Sequence, residues 1–184
     1  MKRLSFIAIL AVFTLGARAQ ELKFAPVDAS PADIVYYPLN SAKAKDGSTP
    51  SIKVVYSRPT RKGREIFGVL EQFDKVWRVG ANECTEIKFF KRVVVGGKTI
   101  KPGSYSLFAI PNPGKWILII NKQTDRWGAF SYNQAEDVVR VEVPVALQDK
   151  PIEAFSITFT PQPKGANMVL GWDRTVVELP IEIK

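Results

Sequence analysis

The stretch VVVGGKTIKPGSYSLFAIPNPGKWILII (93–120) decides the fold, because short apolar runs alternate with turn residues along its whole length. Gly96-Gly97 can adopt positive φ at both positions, as a two-residue hairpin requires. Lys101-Pro102-Gly103 and Pro111-Asn112-Pro113-Gly114 predict two further turns. The run 116–120 is apolar at every position, so we expect both of its faces to be covered. This pattern predicts an antiparallel all-β structure.

Similar patterns lie on both sides of this stretch. They predict further strands at 52–57, 76–79, 85–90, 138–145, 155–160, 168–172 and 175–183, with a hairpin turn at Asp173-Arg174 between the last two. Pro144 and Pro180 cannot donate to a strand ladder, so we expect them at edges, ends or bulges. Apart from one short helical turn within 63–73, nothing after residue 20 indicates helix. Nine or ten short strands predict a single-domain β-sandwich or jelly-roll-like fold with minimal helix.

The first nineteen residues have the features of a cleavable secretory signal. Lys2-Arg3 precedes an apolar run at 4–15, and Ala17-Arg18-Ala19 provides the small-x-small pattern of a cleavage site between Ala19 and Gln20. The run is too short to cross a hydrocarbon core of about 30 Å. We therefore expect an exported protein, periplasmic or secreted, with no transmembrane segment in its mature chain.

The mature chain is predicted to have two parts. Residues 20–50 are rich in proline and polar residues and predict an extended arm packed on the domain, with Ile34, Tyr36 and Tyr37 as contacts. Residues 51–184 predict the β-sandwich domain. Signal cleavage removes three basic residues and no acid, so the net charge falls from +8 to +5. This mild excess suits contact with anionic groups, and export argues against nucleic acid as a partner.

Several strings resemble a known family. They are YSRP (56–59), KGREIFG (62–68), VWRVGANECTEI (76–87), GSYSLFAIP (103–111), LIINK (118–122), WGAFSY (127–132) and DVVRVEVPV (137–145), with SPADIVYYPLN (30–40) and VLGWDRTVVELPI (169–181) in addition. The chain resembles exported proteins of Bacteroidetes-type bacteria that are grouped as domain of unknown function 2911. Asp74 stands where the family typically has glycine, and Cys84 where it has alanine, so the resemblance implies that this thiol has no shared role. Because the family has no established activity, the resemblance implies compartment and domain extent but no mechanism.

Composition excludes several chemistries. The chain has no histidine and one cysteine, which removes the usual Ser-His-Asp and Cys-His arrangements and the common transition-metal sites. It also lacks a calcium loop, a phosphate-binding glycine loop and a nucleophile elbow. We therefore assign no catalytic residue, no metal site and no cofactor. Cys84 is expected to be buried in the core at the start of the 85–90 strand.

Paired carboxylates are the remaining enzymatic option, because glycoside hydrolysis needs only two acids about 5–9.5 Å apart. Glu83 and Glu86 would face opposite sides if the chain were extended between them. The candidates are Glu65, Glu83, Glu86, Asp125, Asp137 and Asp173.

The best binding-site prediction rests on a local concentration of polar and aromatic residues. Asn82 suits a left-handed turn, and its amide can bridge a ligand or the backbone. Trp77 or Trp127 could provide a stacking surface, and the loop 58–64, rich in Arg and Lys, could bind anions. The same residues could be structural, with Arg78 paired to Glu83 and Trp77 filling the core. The candidates are Arg64, Trp77, Arg78, Asn82, Glu83 and Trp127.

Three functions remain open at this point. The first is non-catalytic binding of a polar or anionic ligand, such as a glycan, a peptide or a phosphate-bearing group. The second is a structural or protein-interaction role in the cell envelope. The third is a carboxylate-dependent enzyme resembling a glycoside hydrolase. A cleft that contains the candidate residues would favour the first.

Overall fold

The computed structural model describes residues 21–184, so the predicted signal and its cleavage site lie outside the described residues. Within residues 21–184, ten strands form two antiparallel sheets, and two short 3₁₀ turns occur at Ser41–Lys43 and Gln134–Glu136. The all-β prediction is confirmed. The strands are β1 (Ala32–Tyr37), β2 (Ile52–Ser57), β3 (Glu86–Phe89), β4 (Val93–Val95), β5 (Lys98–Ile100), β6 (Gly103–Ile110), β7 (Lys115–Asn121), β8 (Asp137–Pro144), β9 (Ala146–Gln162) and β10 (Gly165–Ile183).

The two sheets differ in size, and the β4–β5 hairpin interrupts the chain order of the larger one. One sheet has six strands in the order β1-β2-β3-β6-β7-β8, and the other has four in the order β5-β4-β10-β9. The β4–β5 hairpin leaves the larger sheet between β3 and β6 and joins the smaller one. Its turn is Gly96-Gly97, with φ of 54° and 75°, as the sequence predicts. No helix in residues 21–184 has the length and hydropathy needed to cross a membrane.

The core lies between the sheets and follows the strand alternation. On β2, Ile52, Val54 and Tyr56 point inward and are at most 4% exposed. An aromatic cluster occupies the core beside β7 and β10, with ring centroids 4.7–6.1 Å apart and mostly edge-to-face geometry. Such pairs add about 0.5–1.5 kcal/mol each beyond burial. Its members are Phe67, Trp77, Trp116, Phe155 and Trp172.

Strand β7 is covered on both faces, as its uniformly apolar sequence predicts. Trp116, Leu118 and Ile120 face the core, whereas Ile119, with no exposed surface, lies on the outer face. Residues 122–136, which we call the cover segment, extend over this outer face. Tyr132 of the cover segment packs edge-on against Phe108, the strand neighbour of Ile119, at 5.1 Å. The outer face of the larger sheet is therefore buried around β6 and β7.

Strands β9 and β10 form one long, bent hairpin. The register shifts between Gly171 and Thr175, so the predicted turn at Asp173-Arg174 is wrong: these residues form an irregularity within a continuous strand. Trp172 is 1% exposed because the bend turns it into the aromatic cluster. The bend also brings the end of β10 back to its beginning, where the Ile183 N–H donates to the Lys164 carbonyl at 2.8 Å.

The two prolines lie where no ladder hydrogen bond is lost. Pro144 ends β8. Pro180 lies in β10 between the residues that pair with β9 and those that pair with β4. In contrast, the predicted strand at 76–79 reduces to a single bridge between Trp77 and Ala109, and the predicted helical turn within 63–73 is a series of turns.

Part of the predicted N-terminal arm is a strand, because residues 32–37 form β1 at the edge of the six-stranded sheet. The Tyr37 hydroxyl donates to the Gly165 carbonyl at 2.8 Å. Arg58 joins β1 to β9, since its guanidinium contacts Asp33 at 2.9 Å and donates to the Phe155 carbonyl and to Ser156. Ile34, expected to be a contact of the arm, is 47% exposed.

Candidate functional site

A cleft of about 410 Å³ opens on the outer face of the six-stranded sheet. Its floor is one row of neighbouring strand residues, in which Val55 pairs with Glu86 and Glu86 pairs with Ser106. Two loop segments, 83–84 and 125–127, form its wall. The volume falls within the range of about 300–1,000 Å³ that is usual for small-molecule sites. The lining residues are Ala32, Val55, Tyr56, Ser57, Glu83, Cys84, Glu86, Ser106, Asp125, Arg126 and Trp127.

The wall is held by backbone pairing between its two segments. Glu83 and Trp127 form an antiparallel bridge. The Cys84 N–H donates to the Arg126 carbonyl at 2.8 Å, and the Gly128 N–H donates to the Asn82 carbonyl at 3.1 Å. Asn82, at φ 58°, begins this pairing, which agrees with its predicted place in a turn. The cover segment therefore has two roles: it buries the sheet around β6 and β7, and its edge forms the cleft wall.

Three carboxylates and one guanidinium lie in the cleft lining: Glu83, Glu86, Asp125 and Arg126. Glu83 and Glu86 both line the cleft, and the condition under which they would face opposite sides is not met, because β3 begins only at Glu86. Thr85 is fully buried and donates its hydroxyl inward to the Val79 carbonyl. As a result, the residues on both sides of Thr85 lie at the outer face. The lining carries more negative than positive charge.

Cys84 lies at the cleft and not in the core, because Thr85 occupies the inward position. Its Sγ lies 3.4 Å from the Leu107 carbonyl oxygen. Burial raises the pKa of the Cys84 thiol to about 12, partly offset by the Ser106 hydroxyl and the charge of Arg78. The thiol is therefore neutral at physiological pH and is a weak nucleophile.

The two tryptophans proposed as stacking surfaces occupy opposite environments. Trp77 is 3% exposed within the aromatic cluster, and its indole N–H donates to the Gly80 carbonyl at 3.3 Å. Its ring has no face open to a ligand, which corrects the expectation for this residue. Trp127 is 62% exposed on the cleft wall. Trp127 is thus the stacking surface that the cleft offers.

Arg78 and Asn82 support the wall from behind. A Cβ on Gly128 would lie 3.7 Å from an Arg78 terminal nitrogen, so the guanidinium lies against the wall turn. The ion pairs within residues 21–184 do not include the expected one between Arg78 and Glu83. The Asn82 amide donates to Asp28 at 3.1 Å. Neither residue is part of the cleft lining.

Arg64 lies away from the cleft, and the loop around it has a structural role. Its guanidinium folds back on the loop and donates to the carbonyls of Arg61 at 2.9 Å and Thr60 at 2.6 Å. The Arg61 Nε lies 2.8 Å from an oxygen of Asp173, a charge contact whose angle falls outside hydrogen-bond geometry. Arg64 thus contacts carbonyls of its own loop, and Arg61 contacts Asp173 of β10. The basic loop therefore does not place Arg64 beside the other candidate residues.

One perturbed carboxyl lies outside the lining. Burial raises the pKa of Glu71 to about 7, against the lowering effects of the Arg78 charge and the Trp77 side chain. In residues 21–184 no group of three or more His, Cys, Asp or Glu side chains is arranged to hold a metal ion.

Sequence reasoning did not find the polar floor of the cleft. Ser57, Ser106 and Arg126 were missed because serines in strands and a single loop arginine have no sequence motif. Their position depends on cross-strand register, which brings Glu86 and Ser106 together although they lie twenty positions apart. The alternation of residues along β2 and β3 does predict that Val55 and Glu86 lie on the face opposite the core. This alternation is the sequence signal that indicates the position of the cleft floor.

The fold and cleft define an all-β protein with two sheets and a polar site on the outer face of the larger one. The chain belongs to the family described as "Protein of unknown function (DUF2911)", whose model matches residues 38–181. No curated protein and no solved structure matches the chain.

Proposed function

We propose that this protein binds a carbohydrate in the outer-face cleft without converting it. The observation that carries the proposal is Trp127, a residue 62% exposed at the edge of a cleft lined by carboxylates and hydroxyls. A sugar presents C–H groups on its ring faces, which pack on an aromatic surface, and hydroxyls around its rim. Trp127 offers the aromatic surface, and the floor offers the polar partners.

The lining favours a ligand that donates hydrogen bonds. Carboxylate oxygens accept hydrogen bonds, and Glu83, Glu86 and Asp125 place six such oxygens in the lining residues. Arg126 is the guanidinium in the same lining. Sugar hydroxyls both donate and accept, so they match this set. Of the polar ligands considered, a glycan therefore fits the cleft better than a phosphate group would.

The residues also favour binding over turnover. The chain has no histidine, and the only thiol in the lining, Cys84, is neutral at physiological pH. Nothing in the cleft therefore activates a serine or cysteine nucleophile in the usual manner. Export to the periplasm or the medium, which the N-terminal sequence predicts, is part of the proposal because free glycans are available there. Recovery of the protein from its native host with Met1 retained would contradict it.

The test compares Trp127→Ala with Phe130→Ala on an array of oligosaccharides. Phe130 is the matched control, because it is 86% exposed on the same cover segment but is not part of the lining. We expect Trp127→Ala to weaken glycan binding at least tenfold with no change in melting temperature, and Phe130→Ala to bind as the wild type does. The proposal fails if no glycan binds, or if every glycan that binds does so equally well without Trp127.

A hydrolase is the second candidate, because Glu83, Glu86 and Asp125 line one cleft. Two carboxyl groups on either side of a glycosidic bond are sufficient for hydrolysis. The test is release of new reducing ends from any glycan that binds. A hydrolase predicts turnover that Glu83→Gln or Glu86→Gln abolishes while binding persists. Absence of turnover by the wild type would exclude this candidate and leave the binding proposal in place.

A further inference from the structure

The row of residues next to the cleft floor carries two lysines in an unfavourable arrangement. Lys53 on β2 and Lys88 on β3 are directly paired in the strand register, and both are half-buried on the outer face. Like charges directly opposite one another destabilise a sheet. Neither lysine belongs to an ion pair within residues 21–184. The sheet therefore holds two adjacent positive charges without a carboxylate partner.

The groups around the pair make it a suitable place for an anion. Tyr36 lies opposite Lys53, and Ser104 lies opposite Lys88. The Lys88 ammonium lies 5.1 Å from the centre of the Phe90 ring, a cation–π contact that holds the charge at this face. Glu86, the nearest acid along the strand, accepts a hydrogen bond from Ser104 at 3.3 Å. The Ser104 hydroxyl is thus engaged by Glu86, and the surroundings add Tyr36 opposite Lys53 and the Phe90 ring beside Lys88.

The spacing connects this pair to the cleft. Glu86 lies in the cleft floor, and Lys88 is two residues further along the same strand and on the same face. Two residues of a strand span about 6.6 Å. This is about the span of one monosaccharide, so neighbouring sugars of a single chain would meet the carboxylates and the lysines in turn.

We propose that Lys53 and Lys88 form an anion subsite and that the ligand is an acidic glycan. One sugar occupies the cleft against Trp127, and the carboxylate or sulfate of the next sugar lies between the two ammonium groups. Lysine suits this role because its ammonium is a compact charge with rotatable donors. An anion between the two charges removes their repulsion. The identity of the ligand class rests on the proposed function of the cleft, whereas the anion subsite itself does not.

The experiment compares acidic oligosaccharides with neutral counterparts of the same linkage. The probes are uronate oligosaccharides with their methyl esters and sulfated oligosaccharides with their desulfated forms. We expect the wild type to bind the acidic member at least tenfold more tightly. The double variant Lys53→Gln, Lys88→Gln should bind both members equally and melt no earlier than the wild type. Lys98→Gln is the charge-matched control, because Lys98 is exposed on β5 in the other sheet, and it should retain the preference.

A second measurement separates the two hypotheses. Inorganic sulfate titrated into ¹⁵N-labelled protein should shift the amides of Lys53 and Lys88, and the double variant should lose this response. If neutral glycans bind through Trp127 but no acidic preference depends on the lysines, the acidic ligand is refuted and the cleft proposal stands. If no glycan binds but sulfate shifts these amides, the cleft proposal fails and the anion subsite stands. Absence of a sulfate response refutes the subsite.

Discussion

Gly165 is the position where a single methyl group should be most damaging. A Cβ added there would lie 2.1 Å from the Ile181 carbonyl oxygen and 3.0 Å from the Ile183 nitrogen, whereas ordinary contacts begin at 3.4 Å. The two ends of β10 would have to separate by about 1 Å. Overpacking costs about 1–3 kcal/mol, and loss of the hydrogen bond from Ile183 to Lys164 adds about 0.5–1.5 kcal/mol. We therefore expect Gly165→Ala to lower the free energy of unfolding by about 2–4 kcal/mol.

Urea denaturation and thermal melting of Gly165→Ala provide the measurement. For a chain of this size, about 2–4 °C of melting temperature is lost per kcal/mol, so a decrease of about 5–15 °C is expected. Gly114→Ala is the matched control, because a Cβ there would meet nothing within 4 Å, and its effect should stay within about 0.5 kcal/mol. A Gly165→Ala variant as stable as the Gly114→Ala control would refute the close approach of the two ends of β10.

Three further predictions concern stability and reactivity. Burial raises the pKa of Glu71 to about 7, so the stability that its neutral form contributes is full below pH 4.5 and is lost as the pH rises through about 7. Glu71→Gln should therefore raise the free energy of unfolding by about 1–3 kcal/mol at pH 8 and leave it unchanged at pH 4, as measured by urea titration. Because the Cys84 thiol is neutral, iodoacetamide at pH 8 should modify native protein at least a hundredfold more slowly than unfolded protein, by mass spectrometry; equal rates would contradict its burial. Arg58→Gln should lower the free energy of unfolding by about 1–2 kcal/mol and accelerate amide hydrogen exchange in β1, because Arg58 contacts Asp33 of β1 and Phe155 of β9. Unchanged exchange would show that Arg58 does not hold β1 in place.

Local rules predicted the parts of the fold that depend on neighbouring residues. Gly96-Gly97 forms the expected hairpin, and the run 116–120 is covered on both faces. Prediction failed where tertiary packing overrides local preference. Asp173 suggests a turn, yet the chain continues as a strand because the bend carries Trp172 into the aromatic cluster. The all-β class follows from the spacing of apolar runs and turn residues alone. The bend of β10 depends on the aromatic residues, distant in sequence, against which Trp172 packs.

The candidate site was predicted only in part. Glu83 and Trp127 lie in the cleft wall as one bridged pair, although 44 positions separate them in sequence. Trp77 is a candidate by sequence because an aromatic residue near polar ones has the same sequence signature in a core and in a site. Arg64 is a candidate because sequence does not show that its donors are directed to carbonyls of its own loop.

The contacts of β1 impose an order on the growing chain. Arg58 and its acceptor Phe155 lie 97 positions apart, and Tyr37 and its acceptor Gly165 lie 128 apart. At about 5–20 residues per second, β1 leaves the ribosome roughly 5–25 s before these partners exist. During that interval its backbone has only β2 for pairing and no anchor on the second sheet. A chain that stalls before residue 155 therefore presents β1 as a loosely held edge, open to pairing with other chains.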